Sequence, residues 1–204
     1  MKASSYAVAI RNGYFNYAAL SWVAAGNFKG SGVKVWDFES KQVVCTLPTP
    51  SSAAVAFSPD HRWLAVSGVS FDVWETGSWK RKYTIRRSRP DLTAALAFSP
   101  EGRTVAIADG PGIVHLVATD SGEVLADLEA PRAAIISFLR FSPDGSQLFA
   151  LEWDQQVQVW DLRRLRAELA KLNLDWNAPP IPAETVSVGP APKPLRISLE
   201  ERPR

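Results

Sequence analysis

Residues 54–75 read AVAFSPDHRWLAVSGVSFDVWE, and the reading of this stretch decides the fold. Ala54–Phe57 is an apolar run of β-prone residues, too brief for a helix. Ser58-Pro59-Asp60 then turns the chain, since the fixed φ of Pro suits the second turn position. Trp63-Leu64-Ala65-Val66-Ser67 forms the next run. Phe71-Asp72-Val73-Trp74 alternates apolar and polar residues with a period of two, the mark of a strand. A looser run, Lys82-Tyr83-Thr84-Ile85, closes the unit. Four short strands make one small twisted sheet, which cannot bury both of its faces alone. Neighbours must stack on it.

The neighbours are in the same chain. Ala54–Phe57 with its Ser-Pro-Asp turn recurs as Leu96-Ala97-Phe98-Ser99-Pro100-Glu101 and as Leu139-Arg140-Phe141-Ser142-Pro143-Asp144-Gly145. Phe57 to Phe98 spans 41 residues, and Phe98 to Phe141 spans 43. A second anchor follows in each unit: Val35-Trp36-Asp37, Val73-Trp74-Glu75, the degenerate Leu116-Val117-Ala118, and Val159-Trp160-Asp161. Trp36 to Trp74 is 38 residues, whereas Trp74 to Val117 and Val117 to Trp160 are both 43. Ala7–Ile10 opens the first unit, which carries extra residues around Tyr14–Tyr17. Self-similarity at this period marks a repeat architecture of four units.

Phe-Ser-Pro-Asp, an apolar run and a third strand ending in Trp-Asp resemble the WD40 repeat, the blade of a β-propeller. The resemblance covers about residues 4–162, with three FSP(D/E) and three VW(D/E) copies in phase. Structural repeat positions are then Trp36, Asp37, Phe57, Trp74, Phe98, Asp109, Phe141, Asp154, Trp160 and Asp161. The Gly-His dipeptide of the family is absent, and the Asp before the third strand survives only as Asp109 and Asp154. The buried hydrogen-bond tetrad of the family therefore cannot form in most units. The form without Gly-His is similar to a bacterial branch of the family.

The resemblance implies an all-β chain of about four blades, at about 4–50, 51–90, 91–131 and 132–162, in an open or partial propeller. Propellers of this family close with about seven or eight blades. Beyond Asp161 the apolar positions Leu162, Leu165, Leu169 and Leu172 have helical spacing, so a helix is expected over 162–173, with Asn173 as its C-cap. Seven of the 15 prolines lie from Asp175 onward, which gives a Pro-rich extended tail over 174–204. Within it Leu195-Arg196-Ile197-Ser198-Leu199 is a candidate isolated strand. The segment from Trp160 to Pro180 resembles the closing segment of large bacterial WD40 proteins, including fusions to serine/threonine kinases.

Composition excludes several function classes. Cys45 is alone and His61 and His115 are the two histidines, so disulfides, cysteine metal cages and most Ser-His-Asp designs lack parts. No apolar run reaches the roughly 18 residues of a membrane helix. Residues 1–90 carry a net charge of +7, residues 91–162 a net of −8 and residues 163–204 a net of +3. Sectors of opposite sign do not make a uniformly basic nucleic-acid sleeve. Lys80, Arg81, Lys82, Arg86, Arg87 and Arg89 fall on the outermost strand of the second unit. Edge strands carry such residues to block edge-to-edge pairing, and an anionic partner is the competing reading.

Ser58, Ser99 and Ser142 precede Pro in turns without a recurring base, so they cap the turns. Trp36, Trp74 and Trp160 read as packing between blades, with Trp22 and Trp63 also in the core. Trp79, Trp153 and Trp176 fall outside the repeat anchors, and Trp153 and Trp176 are the better interaction candidates. His61 stands where the repeat has a turn Gly, and His115 lies in the third strand of unit three. Gly30-Ser31-Gly32 is a loop rather than a phosphate cradle. No cofactor, metal or catalytic constellation assembles, so the expected function is a noncatalytic, cytoplasmic scaffold for other proteins. The alternative is a regulatory segment of a bacterial serine/threonine kinase-type protein. An open arc exposes two terminal faces, including Val8 and Ile10 at one end and Phe149 and Leu151 at the other. Self-association to complete a propeller would cover them; specific nucleic-acid binding is not expected.

Overall fold

A computed structural model describes residues 5–10, 22–27, 32–37, 39–49, 53–89, 95–176 and 181. The extra residues around Tyr14–Tyr17, the side chains of Val8 and Ile10, and the candidate strand Leu195–Leu199 lie outside the described residues. Most of Gly30-Ser31-Gly32 and most of the Pro-rich tail do so as well.

The expected all-β class is the observed one. Blade 1 consists of β1 (Ser5–Ile10), β2 (Trp22–Asn27), β3 (Val33–Asp37) and β4 (Val43–Leu47). Blade 2 consists of β5 (Ala54–Phe57), β6 (Trp63–Ser67), β7 (Ser70–Glu75) and β8 (Arg81–Arg86). Blade 3 consists of β9 (Leu96–Phe98), β10 (Thr104–Ala108), β11 (Ile113–Ala118) and β12 (Val124–Glu129). Blade 4 has β13 (Ile136–Phe141), β14 (Gln147–Glu152) and β15 (Val157–Asp161), followed by helix α1 (Leu162–Lys171) where the other blades place a fourth strand. Each sheet is antiparallel with its strands in sequence order. The first strands of successive blades pack side by side, β1 on β5, β5 on β9 and β9 on β13, and β13 does not return onto β1 in the same way. The described blades form an arc.

The turns explain the recurring Phe-Ser-Pro. In blade 2 the Ser58 hydroxyl accepts from the Trp63 amide at 3.0 Å, while the Ser58 amide donates to the Trp63 carbonyl at 2.9 Å. Ser99 with Thr104 and Ser142 with Gln147 repeat both bonds. His61, Gly102 and Gly145 occupy the same left-handed turn position, with φ of 62°, 75° and 72°. The terminal Asp of the third strand also has a local task. The Asp37 carboxylate accepts from the Ser40 amide at 2.7 Å. Asp161 accepts from the Arg164 amide at 2.9 Å and so caps α1. The helix ends on C-cap Leu172, with left-handed Asn173 one residue beyond. There Leu174 and Asn173 donate to the Leu169 and Ala170 carbonyls, satisfying the last turn.

Because strand side chains alternate, each blade has a leading face, turned to the next blade, and a trailing face, turned to the previous one. Three cores follow, one per junction. Ala24, Val33, Val35 and Leu47 lead into Val55, Leu64, Val66 and Trp74 of blade 2. Trp63, Ala65, Phe71 and Val73 lead into Val105, Ile107 and Val117 of blade 3. Ala106, Val114 and Leu116 lead into Ile136, Leu139, Leu148 and Ala150 of blade 4. Full burial of each such Val, Leu or Phe contributes about 1.5–3 kcal/mol. Leu162 and Leu165 of α1 join this third core, so the helix supports the trailing side of blade 4 and does not shield its leading face.

Close approach between blades shows at Gly26, where an added Cβ would stand 2.3 Å from the Ala53 carbonyl oxygen. Gly77 has φ +87°, and its nearest neighbour to such a Cβ is Trp22 at 3.7 Å. Gly26→Ala is expected to destabilise the fold by about 2 kcal/mol, because backbone cannot yield there as a flexible side chain would. Gly77→Ala carries only the left-handed penalty of about 1 kcal/mol. Urea denaturation of both variants checks the order.

Candidate interaction surface

Two polar clasps tie the connection after one blade to the hairpin of the next. Arg87, just past β8, is buried; it donates to the Gly68 carbonyl and brings its Nε within 3.8 Å of the Asp109 carboxylate. The Ser88 amide donates to Asp109 at 2.9 Å and its hydroxyl donates to the other oxygen. His115 bridges Asp109 at 3.3 Å and Asp127 at 2.6 Å. Burial pushes the Asp109 carboxyl up, but the Ser88 and His115 hydrogen bonds outweigh it and hold the group below the ordinary 3.8.

The second clasp uses Arg132, which follows β12. Its guanidinium donates to Glu152 at 2.9 Å and to Asp154 at 2.7 Å. Glu152 is buried, whereas Asp154 stands at the solvent side and is held below the usual carboxylate range by Arg132. Counting from the turn serine aligns the two buried acids with each other and with Gly68 of blade 2: Gly68, Asp109 and Glu152 each lie ten residues after Ser58, Ser99 and Ser142. That count is the sequence signal that picks out Glu152, and nothing in the repeat singles out Arg87 or Arg132.

The six basic residues of the second unit do not stay together. Lys80, Arg81, Lys82, Arg86 and Arg89 are exposed on the outer edge strand or beside it, but Arg87 turns inward to its clasp. Arg81 lies 5.6 Å over the Trp74 ring and 3.6 Å from Asp72. The tryptophans divide similarly. Trp63 and Trp74 are buried, and Trp36 and Trp160 are half-buried. Trp22 and Trp79 stack with centroids 4.6 Å apart. Trp176 packs against the junction of blades 3 and 4 under Arg166, whose guanidinium holds Asp175 at 2.9 Å. Trp153 is 70 % exposed.

A cavity of about 520 Å3 lies between blades 3 and 4, lined by Leu116, Phe141, Leu162, Trp176 and Ile181. Its polar lining includes Asp144, engaged by Ser142 and Ser146, and Arg166, engaged by Asp175. Among the described residues no group of three or more His, Cys, Asp or Glu is placed to hold a metal ion. None of the described helices is long and apolar enough to cross a membrane.

The exceptional surface is the leading face of blade 4. Val157 takes the repeat position of Val33, Phe71 and Val114, and Val159 that of Val35, Val73 and Leu116. The six earlier residues are 0 % exposed, against 60 % for Val157 and 41 % for Val159. Cross-strand pairing adds Phe149 beside Val159, and Leu151 beside Val157 and Phe138. Phe138, Leu151 and Trp153 are also exposed. Exposed Arg140 stands opposite Phe149 on the same face, so the apolar patch runs from Phe138 and Leu151 to Val157 and Val159 beside a cation, and such a patch is a candidate interaction site. Phe149 and Leu151, singled out as end residues from the sequence, thus sit in the observed patch.

The sequence profile described as WD domain, G-beta repeat (WD40) matches residues 41–72 and 122–161. WD repeat-containing protein VIP3 of Arabidopsis thaliana is 28% identical over 63% of this chain and 45% of its own length. The U3 small nucleolar RNA-associated protein 18 homolog of the same plant is 30% identical over 54% of this chain and 21% of its length. WD repeat-containing protein 90 of Mus musculus is 28% identical over 80% of this chain and 10% of its length. A WD40 assignment is supported by the profile and these relatives. The chain spans less than half the length of each relative, and these relatives are plant and mouse proteins.

Two measurements check this geometry. Asp109→Ala removes the carboxylate beside the buried Arg87 and the acceptor of Ser88, and is expected to cost about 3 kcal/mol. Asp109→Asn loses the charge and one acceptor oxygen, since its amide nitrogen cannot accept from Ser88. Because the folded-state pKa of Asp109 is depressed, the margin of the wild type over Asp109→Asn is full above about pH 5 and fades as pH falls below 3.8. Thermal melts across that range show it. At the leading faces, Val73→Lys buries a cation and is expected to cost more than about 3 kcal/mol. Val159→Lys, at the same repeat position but exposed, is expected to stay within about 0.5 kcal/mol in denaturation of dilute protein.

Proposed function

We propose that this chain is a noncatalytic WD40 scaffold that binds protein through the leading face of blade 4. One observation carries the reading: the positions that bury against a neighbouring blade at three junctions keep their apolar side chains at the fourth, where no blade follows among the described residues. The face has the build of an interface core, with two phenylalanines and a tryptophan among aliphatic residues. WD-repeat relatives support the scaffold reading. The exposed basic strand is a secondary surface, where charge acts through salt-sensitive, unspecific attraction.

The test compares quantitative affinity capture by the wild type, Val159→Lys and Lys82→Glu. Proteins retained by the wild type and Lys82→Glu, but lost with Val159→Lys, are the expected result. A capture profile that Val159→Lys leaves unchanged overturns the reading.

A further inference from the structure

We infer that the protein covering the leading face of blade 4 is a second copy of this chain, docking head to tail through the trailing face of its blade 1. This rests on the reading of the blade 4 face as a docking surface and names its occupant.

Two observations select that occupant. The first is continuity of register. Each established junction sets a leading face against a trailing row from the second and third strands: Leu64, Val66 and Trp74 in blade 2, or Val105, Ile107 and Val117 in blade 3. The residues of blade 1 in that register are Val23, Ala25 and Trp36, which pair with the strand positions homologous to those of blade 2. They are half-buried and turned away from the core that blade 1 shares with blade 2. Among the described residues the chain therefore presents one leading face and one trailing row of matching type that no further blade covers.

Size is the second. In blades 1 to 3 the two later leading positions of the second strand hold small residues, Ala24 and Gly26, Ala65 and Ser67, Ala106 and Ala108, behind Trp22, Trp63 and Thr104 at the first. Blade 4 has Phe149 and Leu151 at those positions. The trailing pairs are Leu64 with Val66, Val105 with Ile107 and Leu148 with Ala150, and the pair that blade 1 offers, Val23 with Ala25, is the smallest of the four. A bulky row against a short row fills the junction to ordinary density, whereas a bulky row against a bulky one would overpack it. Two copies joined this way bury both pairs of ends at once, a closed arrangement.

Light scattering with sedimentation velocity on the full chain is the test, with circular dichroism confirming that each variant folds. The wild type is expected at twice 22.4 kDa, and Val159→Lys and Val23→Lys are each expected at the monomer mass. Each variant spoils a different end, so mixing the two restores one native junction and returns a heterodimer. If Val23→Lys does not fold, Lys34→Glu, an exposed residue on the same side of blade 1, takes its place. A wild type that stays monomeric at every concentration, or a dimer that survives both end variants, overturns the second-copy proposal, and an open-ended polymer overturns its closure into a pair. A hydrophobic dye separates its failure from failure of the underlying reading. Dye bound by monomeric wild type and lost in Val159→Lys keeps the docking surface and removes only the second copy. A monomer that binds no dye removes both.

Discussion

Everything in this molecule depends on the fact that a sheet of three or four short strands has two faces and only one chain to cover them. A blade of about 42 residues has no interior of its own. Its apolar side chains become core only when another blade lies against them, and the three cores all sit between blades. Stability is thus a property of junctions, as in other repeat proteins. The local devices serve this arrangement. Serine-capped turns fix where each second strand begins, small residues on the leading faces let backbones approach, and the Arg87 and Arg132 clasps lock a connection to the hairpin that follows. The same constraint defines the surface of interest, because the last leading face is built like a core and no blade lies against it among the described residues.

Most of the fold is legible in the sequence, because the repeat multiplies weak signals. One Ala-Val-Ala-Phe run is ambiguous, but three in phase with Ser-Pro and Trp-Asp anchors are not. The third strand of blade 3 has lost its Trp, and Val117 still fills that position with no exposed surface, so phase succeeds where motif fails. The helix was also readable from leucine spacing, but its C-cap is Leu172, one residue before the expected Asn173. Its destination was not. Helical spacing tells which residues line up, whereas Leu162 and Leu165 turn to the trailing side for reasons of tertiary packing.

The candidate surface was partly legible. Phe149 and Leu151 follow from counting blades and noticing that an arc has ends. Val157 and Val159 look like ordinary core residues, since their alternation is the same as that of Phe71 and Val73; only the missing neighbour sets them apart. Polar positions were harder. Asp154 carries the family-like signature by sequence, yet the buried acid beneath Arg132 is Glu152. The basic run from Lys80 to Arg89 reads as one patch until Arg87 turns inward. Charge patterns in sequence do not specify which side chain a buried carboxylate will recruit.

The central claim is that each core lies between blades and not within one, and a double-mutant cycle tests it directly. Val73 and Ile107 belong to different blades but share one core, whereas Val73 and Leu64 lie on neighbouring strands of one blade and belong to different cores. Truncating both members of each pair to Ala and measuring unfolding free energies gives the coupling. The account predicts a coupling of about 1 kcal/mol for Val73 with Ile107 and close to zero for Val73 with Leu64. Strong coupling within the blade and none across the junction would contradict it.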